Sequence, residues 1–220
     1  MPLTPAFPEP RRRVTFASGD VFLEGVLSLP DGAGPFAGGV VCHPHPQMGG
    51  TMHNNVVDGL CMGLAGAGIA TLRFNFRGVG KSTGTHTGEP GEIEDARGAL
   101  TFLASQPGID PERLGMAGYS FGARITLRLA ESERRTKGIA AVSGIAREPA
   151  ALAVYPGAKF FICGDRDHYI NAGDLTALVD LLPEPKELRI VPNLDHFWAG
   201  AESLVGEAVA SFFAKTFASL

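Results

Sequence analysis

No uninterrupted apolar stretch of this 220-residue chain approaches the ~20 residues needed to cross a bilayer. The first ten residues, MPLTPAFPEP, lack the apolar centre of a secretory signal. A membrane-spanning protein is therefore not expected. Charge is also sparse, at 19 % of residues with a net value of −4, and the one basic tract is Arg11-Arg12-Arg13. That run reads as a solvated lead-in to the first strand, and without a wider cationic face nucleic acid is not an expected partner. Cysteine is scarce: Cys42, Cys61 and Cys163 are odd in number, form no CxxC pair, and two of them sit in apolar runs. The expectation is three reduced, mostly buried thiols and a reducing, cytoplasmic setting.

Metal and nucleotide signatures are missing as well. There is no HExxH, and although His43 and His45 stand two residues apart, no carboxylate lies near them in sequence. The tripeptide Gly80-Lys81-Ser82 ends like a phosphate loop, but Asn75 occupies the place of the first glycine and no helical pattern follows. Neither a metal nor any other cofactor is expected.

What the chain has in quantity is glycine, 29 residues, and proline, 16, without a repeat. They punctuate a regular alternation of short apolar runs and amphipathic segments. Residues 1–10, with four prolines, read as an extended arm; residues 11–220 read as one domain. Strands are expected at 14–16, 21–27, 38–42, 69–74, 114–118, 139–143, 159–163 and 187–191. Helices are expected at about 51–66, 89–105, 121–134, 172–182 and 201–218. Strands alternating with helices specify an α/β fold, a mainly parallel twisted sheet covered on both faces, with the first two strands as an antiparallel exception.

One motif in this frame carries chemistry. Gly118-Tyr119-Ser120-Phe121-Gly122 matches G-x-S-x-G between a strand and a helix. A serine on that turn takes a strained backbone conformation that lifts Oγ clear of the sheet, and its flanks must be small because neighbouring elements pass close. The turn also places the Phe121 N–H at a helix start, where a negative oxygen is stabilised. A nucleophilic serine needs a base and an orienting acid, and in this fold type they follow in the order serine, acid, histidine. Of the two downstream histidines, His196 follows a strand and turn and is the expected base; His168 lies beside the expected acid. That acid is Asp167, which has room to clear the strand end at Cys163. Asp165 is the alternative, with a turn-forming role the better reading of it, and Asp195 is too close in sequence to His196 to orient it. The loop His43-Pro44-His45-Pro46 offers a second oxyanion donor, the His45 main-chain N–H, because proline has none; its ring is a further candidate for the pocket. His43 is expected to pack beneath the loop. Arg73 and Arg77 are expected to anchor the segment after the 69–74 strand against Glu89, Glu92 or Asp95.

Together these segments resemble the α/β-hydrolase superfamily over nearly the whole chain. More closely, the chain is similar to small bacterial hydrolases sharing an HPHP loop followed by GGTMHNNVV (residues 49–57), the segment from Asn75 to Gly84, the GYSFG elbow, and an ending with GDxD (residues 164–167) and Asp195-His196-Phe197-Trp198. The resemblance implies an α/β-hydrolase fold, a Ser120–Asp167–His196 triad, and an oxyanion hole from the N–H groups of His45 and Phe121. It names no substrate. Only 15 residues separate Ser143 from Lys159, too few for a helical cap, so an open, shallow pocket is expected, with Met48, Phe121, Tyr169 and Trp198 as candidate linings. A small acyl substrate follows, a carboxylic ester first. A thioester, an amide or a short peptide would use the same groups, and a non-catalytic scaffold with a retained fold is the remaining reading. The sequence assigns no oligomeric state.

Overall fold

The computed structural model describes residues 11–220; the proline-rich arm expected at 1–10 lies outside the described residues. The strands are β1 (Arg11–Ser18), β2 (Val21–Ser28), β3 (Phe36–Cys42), β4 (Ala70–Phe74), β5 (Ile109–Tyr119), β6 (Thr136–Val142), β7 (Ala158–Gly164) and β8 (Lys186–Val191). The helices are α1 (Asn55–Gly66), α2 (Pro90–Ala104), α3 (Phe121–Ala130), α4 (Pro149–Leu152), α5 (Ala172–Asp180) and α6 (Glu202–Ala218). One eight-stranded sheet has the order β1-β2-β4-β3-β5-β6-β7-β8. β1 and β2, and β2 and β4, pair antiparallel; every other pair is parallel.

Alternation along the strands builds the two faces. Val40 and Cys42 of β3, Leu72 and Phe74 of β4, and Met116 of β5 pack under α2 and α3. Val41 of β3, Ala117 of β5, and Phe160 and Ile162 of β7 pack on the other side with α1 and α6. These two helices cross closely at Gly63 and Gly206, where a Cβ on either would strike the opposing backbone.

Helix ends depart from the sequence pattern where side chains intervene. α1 starts at Asn55, not 51, because Asn54 caps it: Oδ1 accepts from Val56 N at 3.0 Å. α3 stops at Ala130, four residues short of expectation. The Arg134 guanidinium donates to the carbonyls of Ala130 and Glu131 (2.9 and 3.0 Å), and the buried Glu133 carboxylate accepts from the N–H groups of Arg134 and Arg135. Side chains thereby satisfy the orphan groups that another helical turn would have used. The connection from β6 to β7 holds only the single-turn α4, so no cap covers the sheet. No helix among the described residues is long and apolar enough to cross a membrane.

The strand order decides where ligands go. β3 sends the chain outward to β4, whereas β5 lies on its other side and leads to β6. Loops leaving β3 and β5 diverge, opening a crevice beyond their carboxyl ends.

Candidate active site

Ser120 stands in that crevice, between β5 and α3. Its backbone is in the left-handed region (φ 55°), and its N–H donates to Val142 O of the neighbouring strand at 2.9 Å. A non-glycine residue held there is strained, and the surroundings must impose it. They do so by close approach: a Cβ at Gly118 would strike the Gly122 carbonyl, and one at Gly122 would strike the carbonyls of Cys42 and His43. The two glycines thus let helix, strand and the loop after β3 converge.

His196 comes from the loop after β8. Its Nε2 lies 3.0 Å from Ser120 Oγ, and its Nδ1 lies 3.0 and 2.9 Å from Asp167 Oδ1 and Oδ2. The buried Tyr119 hydroxyl donates to the His196 main-chain carbonyl at 2.9 Å and ties that stretch of backbone to β5. The loops after β7 and β8 are laced together: Arg166 N donates to Leu194 O (3.0 Å), Asn193 N to Asp165 Oδ1 (2.7 Å), and the Arg166 guanidinium to Asn193 Oδ1 (2.5 Å). Asp165 is spent on that lacing and does not touch His196, and Asp195 caps its own turn through Phe197 N.

Asp167 is held on every side. Its Oδ1 accepts from the N–H groups of Tyr169 and Ile170, both at 2.9 Å, and the nearby Ser143 hydroxyl also favours the charged carboxylate. Burial pushes this carboxyl upward, but the hydrogen bonds from His196, Ile170, Ser143 and Tyr169 outweigh it and hold it below the usual aspartate value.

Trp198 does not line the crevice. It is fully buried, and its indole Nε1 donates to Ser143 Oγ at 2.9 Å. A large ring with a single donor is most stable packed in the core with that donor satisfied; its neighbour Phe197, 58 % exposed, takes the place at the mouth. The resulting chain from Trp198 through Ser143 to Asp167 had no signature in the sequence. Its one hint was the position of Ser143 at the carboxyl end of an apolar strand.

The loop after β3 is rigid for identifiable reasons. His43 is wholly buried, with Nδ1–H donating to Pro44 O (2.6 Å) and Nε2 accepting from Phe76 N (3.1 Å). Burial lowers its pKa to about 4, against a smaller opposing effect of the Pro44 carbonyl, so the ring is neutral at physiological pH. His45 Nδ1 accepts from Gln47 N at 3.2 Å, and burial, His86 and Arg124 all depress its pKa. Among the described residues, neither the His45 nor the Phe121 N–H has a protein acceptor. No group of three or more His, Cys, Asp or Glu side chains is arranged to hold a metal among the described residues.

The segment after β4 behaves as a scaffold. Arg77 grips Asp95 through its N–H and guanidinium. Arg73, expected to do the same, instead pairs with Asp58 on α1, because Leu72 and Phe74 face α2 and alternation turns Arg73 to the other side. Ser82 of the GKS tripeptide is occupied with Asn75 O and Glu24 N.

Above these groups lies a cleft of about 460 Å³. Its walls include His45, Met48, Ser120, Phe121, Arg124, Ile145, Arg147, Tyr169, His196 and Phe197. Met48 and Tyr169, 74 % and 63 % exposed, stand at its mouth.

Comparisons with known proteins bear on the family and the fold. The model of the X-Pro dipeptidyl-peptidase (S15) family matches residues 20–160, which include Ser120 but end before Asp167 and His196. An uncharacterized protein of Rickettsia prowazekii is 32 % identical over 169 residues, covering 72 % of this chain and 71 % of its own. An α/β serine hydrolase homologue from Coxiella burnetii superposes with a TM-score of 0.82 at 29 % identity, covering 94 % of this chain and 99 % of its own. An α/β serine hydrolase without a lid from Xanthomonas campestris gives 0.81 at 28 % identity, with 96 % and 97 % covered.

Proposed function

Since the chain belongs to the S15 peptidase family of α/β serine hydrolases, we propose that it hydrolyses small carboxylic esters through an acyl-enzyme on Ser120. The observation that carries this reading is the unbroken hydrogen-bonded line from Ser120 Oγ through His196 to Asp167. His196 Nε2 takes the hydroxyl proton as Oγ attacks the acyl carbon. Asp167 keeps the proton of the neutral ring on Nδ1 and stabilises the imidazolium that forms. The oxyanion is held by the N–H groups of His45 and Phe121, which are already unpaired and cost no rearrangement. His196 then gives the proton to the departing alcohol, water attacks the acyl-enzyme with His196 again as base, and the carboxylic acid leaves.

An ester suits the cleft better than a dipeptide. Removal of a dipeptide calls for a group to hold a free amino terminus, yet among the described residues no carboxylate side chain is in the cleft walls. The open mouth suits small acyl groups presented from solvent. The three buried thiols fit the cytoplasm. The test is fluorophosphonate labelling followed by mass spectrometry, together with a panel of p-nitrophenyl esters. An adduct on Ser120 and turnover of short-chain esters are expected; no adduct on the folded protein would refute the proposal.

A further inference from the structure

The cleft walls contain two full charges of one sign, and neither belongs to the proposed triad. Arg124 lies on α3, one helical turn beyond Ser120. Arg147 comes from the connection after β6. Both line the cleft, and among the described residues no carboxylate does. Behind them Glu89 meets both: its Oε1 lies 2.9 Å from Arg124 Nε and 3.4 Å from Arg147 Nη1. Glu89 itself is held in an unusual backbone conformation (φ 146°) at the start of α2. One carboxylate set back against two guanidiniums leaves the cleft with positive charge in excess.

The Arg124 side chain is prepared rather than spent. Its guanidinium carbon sits 5.2 Å from the centre of the Phe121 ring, and the contact with Glu89 fixes its near end. Yet no guanidinium N–H of Arg124 donates a well-aligned hydrogen bond within the described residues, and its Nε is buried. A planar guanidinium, steadied at its Nε by Glu89 and lining the cleft beside a nucleophile, matches a carboxylate in geometry as well as charge. Burial, His86 and Arg124 itself all lower the pKa of the neighbouring His45, against a smaller opposing effect of Glu92.

We propose that this cleft selects acyl substrates carrying a second, anionic group, a carboxylate, received by Arg124 with Arg147 at its side. This rests on the serine-esterase reading above and narrows it from esters in general to acidic esters. The carboxylate can arrive on the acyl chain or on the leaving group.

Two matched pairs of esters separate these arms. p-Nitrophenyl butyrate is compared with the p-nitrophenyl monoester of glutaric acid, and phenyl butyrate with 4-carboxyphenyl butyrate. In at least one pair the anionic ester should be favoured in kcat/KM about tenfold or more, chiefly through KM, as for a hydrogen bond to a charged group, and the preference should shrink as salt is raised. Arg124→Gln should abolish the preference and Arg124→Lys should restore part of it, each read as the ratio within a pair. Wild-type enzyme with no anionic preference in either pair, or a preference that survives Arg124→Gln, overturns the proposal.

Calorimetry on Ser120→Ala protein with the same esters isolates binding from turnover. Equal affinity for anionic and neutral partners there would overturn the anion receiver even if the esterase reading stood. Tighter binding of the anionic ester, in a protein whose wild type cleaves neither, would leave the receiver standing and overturn the esterase reading.

Discussion

Replacing Asp167 by Asn tests whether the proposed acid works by fixing one tautomer of His196. In the folded protein Oδ1 accepts from two main-chain N–H groups, those of Tyr169 and Ile170, each at 2.9 Å. An asparagine must keep its carbonyl oxygen there, since turning the amide over would set NH₂ against two donors. The NH₂ then falls at the Oδ2 position, 2.9 Å from His196 Nδ1. The remaining oxygen lies 3.0 Å from Nδ1 but already accepts from Tyr169 and Ile170, so the nearer NH₂ donor favours the ring proton on Nε2, and Nε2 can then no longer accept from Ser120. The expected loss in kcat is on the order of 10⁴-fold, the size seen for the equivalent change in a well-studied serine protease, or ~5.4 kcal/mol in the barrier. Asp165→Asn keeps an oxygen for Asn193 N and should lower kcat/KM only a few-fold. Both variants are assayed with p-nitrophenyl butyrate, and circular dichroism checks that each is folded. An Asp167→Asn enzyme keeping a tenth of wild-type kcat, or an Asp165→Asn enzyme that is the nearly dead one, would refute the reasoning.

Other consequences are open to direct measurement. Asp167 has a native pKa below its unfolded value, so it contributes stability that is fully present above about pH 4 and is lost as pH falls through the native value; acid unfolding followed by fluorescence should be less steep in Asp167→Asn than in wild type. Gly122→Ala drives a methyl into the Cys42 and His43 carbonyls and should cost about 2 kcal/mol or more in urea unfolding; a variant as stable as wild type would contradict the close packing of the elbow. Trp198→Phe removes the donor to Ser143 Oγ and should cost ~1 kcal/mol while leaving the preference for acyl chain length intact, because the ring is in the core; a changed preference would return Trp198 to the cleft wall. Prolonged dialysis against EDTA should leave esterase activity in place, since every proton and charge in the proposed mechanism is handled by side chains and main-chain N–H groups; loss of activity restored by zinc would overturn it.

Much of the architecture is legible in the order of the residues because burial leaves a local trace. Apolar runs such as 38–42 and 159–163 mark strands covered on both faces, and the spacing of Ile93, Ala96, Leu100 and Leu103 marks α2. Gly118 and Gly122 around Ser120 announce a turn that admits no Cβ, and that turn fixes where a serine hydroxyl can stand. Polar chemistry leaves no such trace. Asp165 and Asp167 are equivalent in composition and nearly so in position; which of them meets His196 depends on bonds between two loops 29 residues apart, from His196 Nδ1 to Asp167 and, 28 apart, from Asn193 N to Asp165. Trp198 looks like a wall residue beside a histidine, and only packing against the sheet shows its indole turned inward to Ser143. That His45 and Phe121 line one cleft comes from strand order, since β3 and β5 are neighbours in the sheet with β4 outside them. Arg124 is one more arginine on a helix until the fold sets Glu89 against it and makes it part of the cleft wall. Local periodicity thus determined the elements and the elbow, whereas the partners of each charged and hydrogen-bonding group were decided by contacts between segments far apart in the chain, where the tertiary structure alone supplies the geometry.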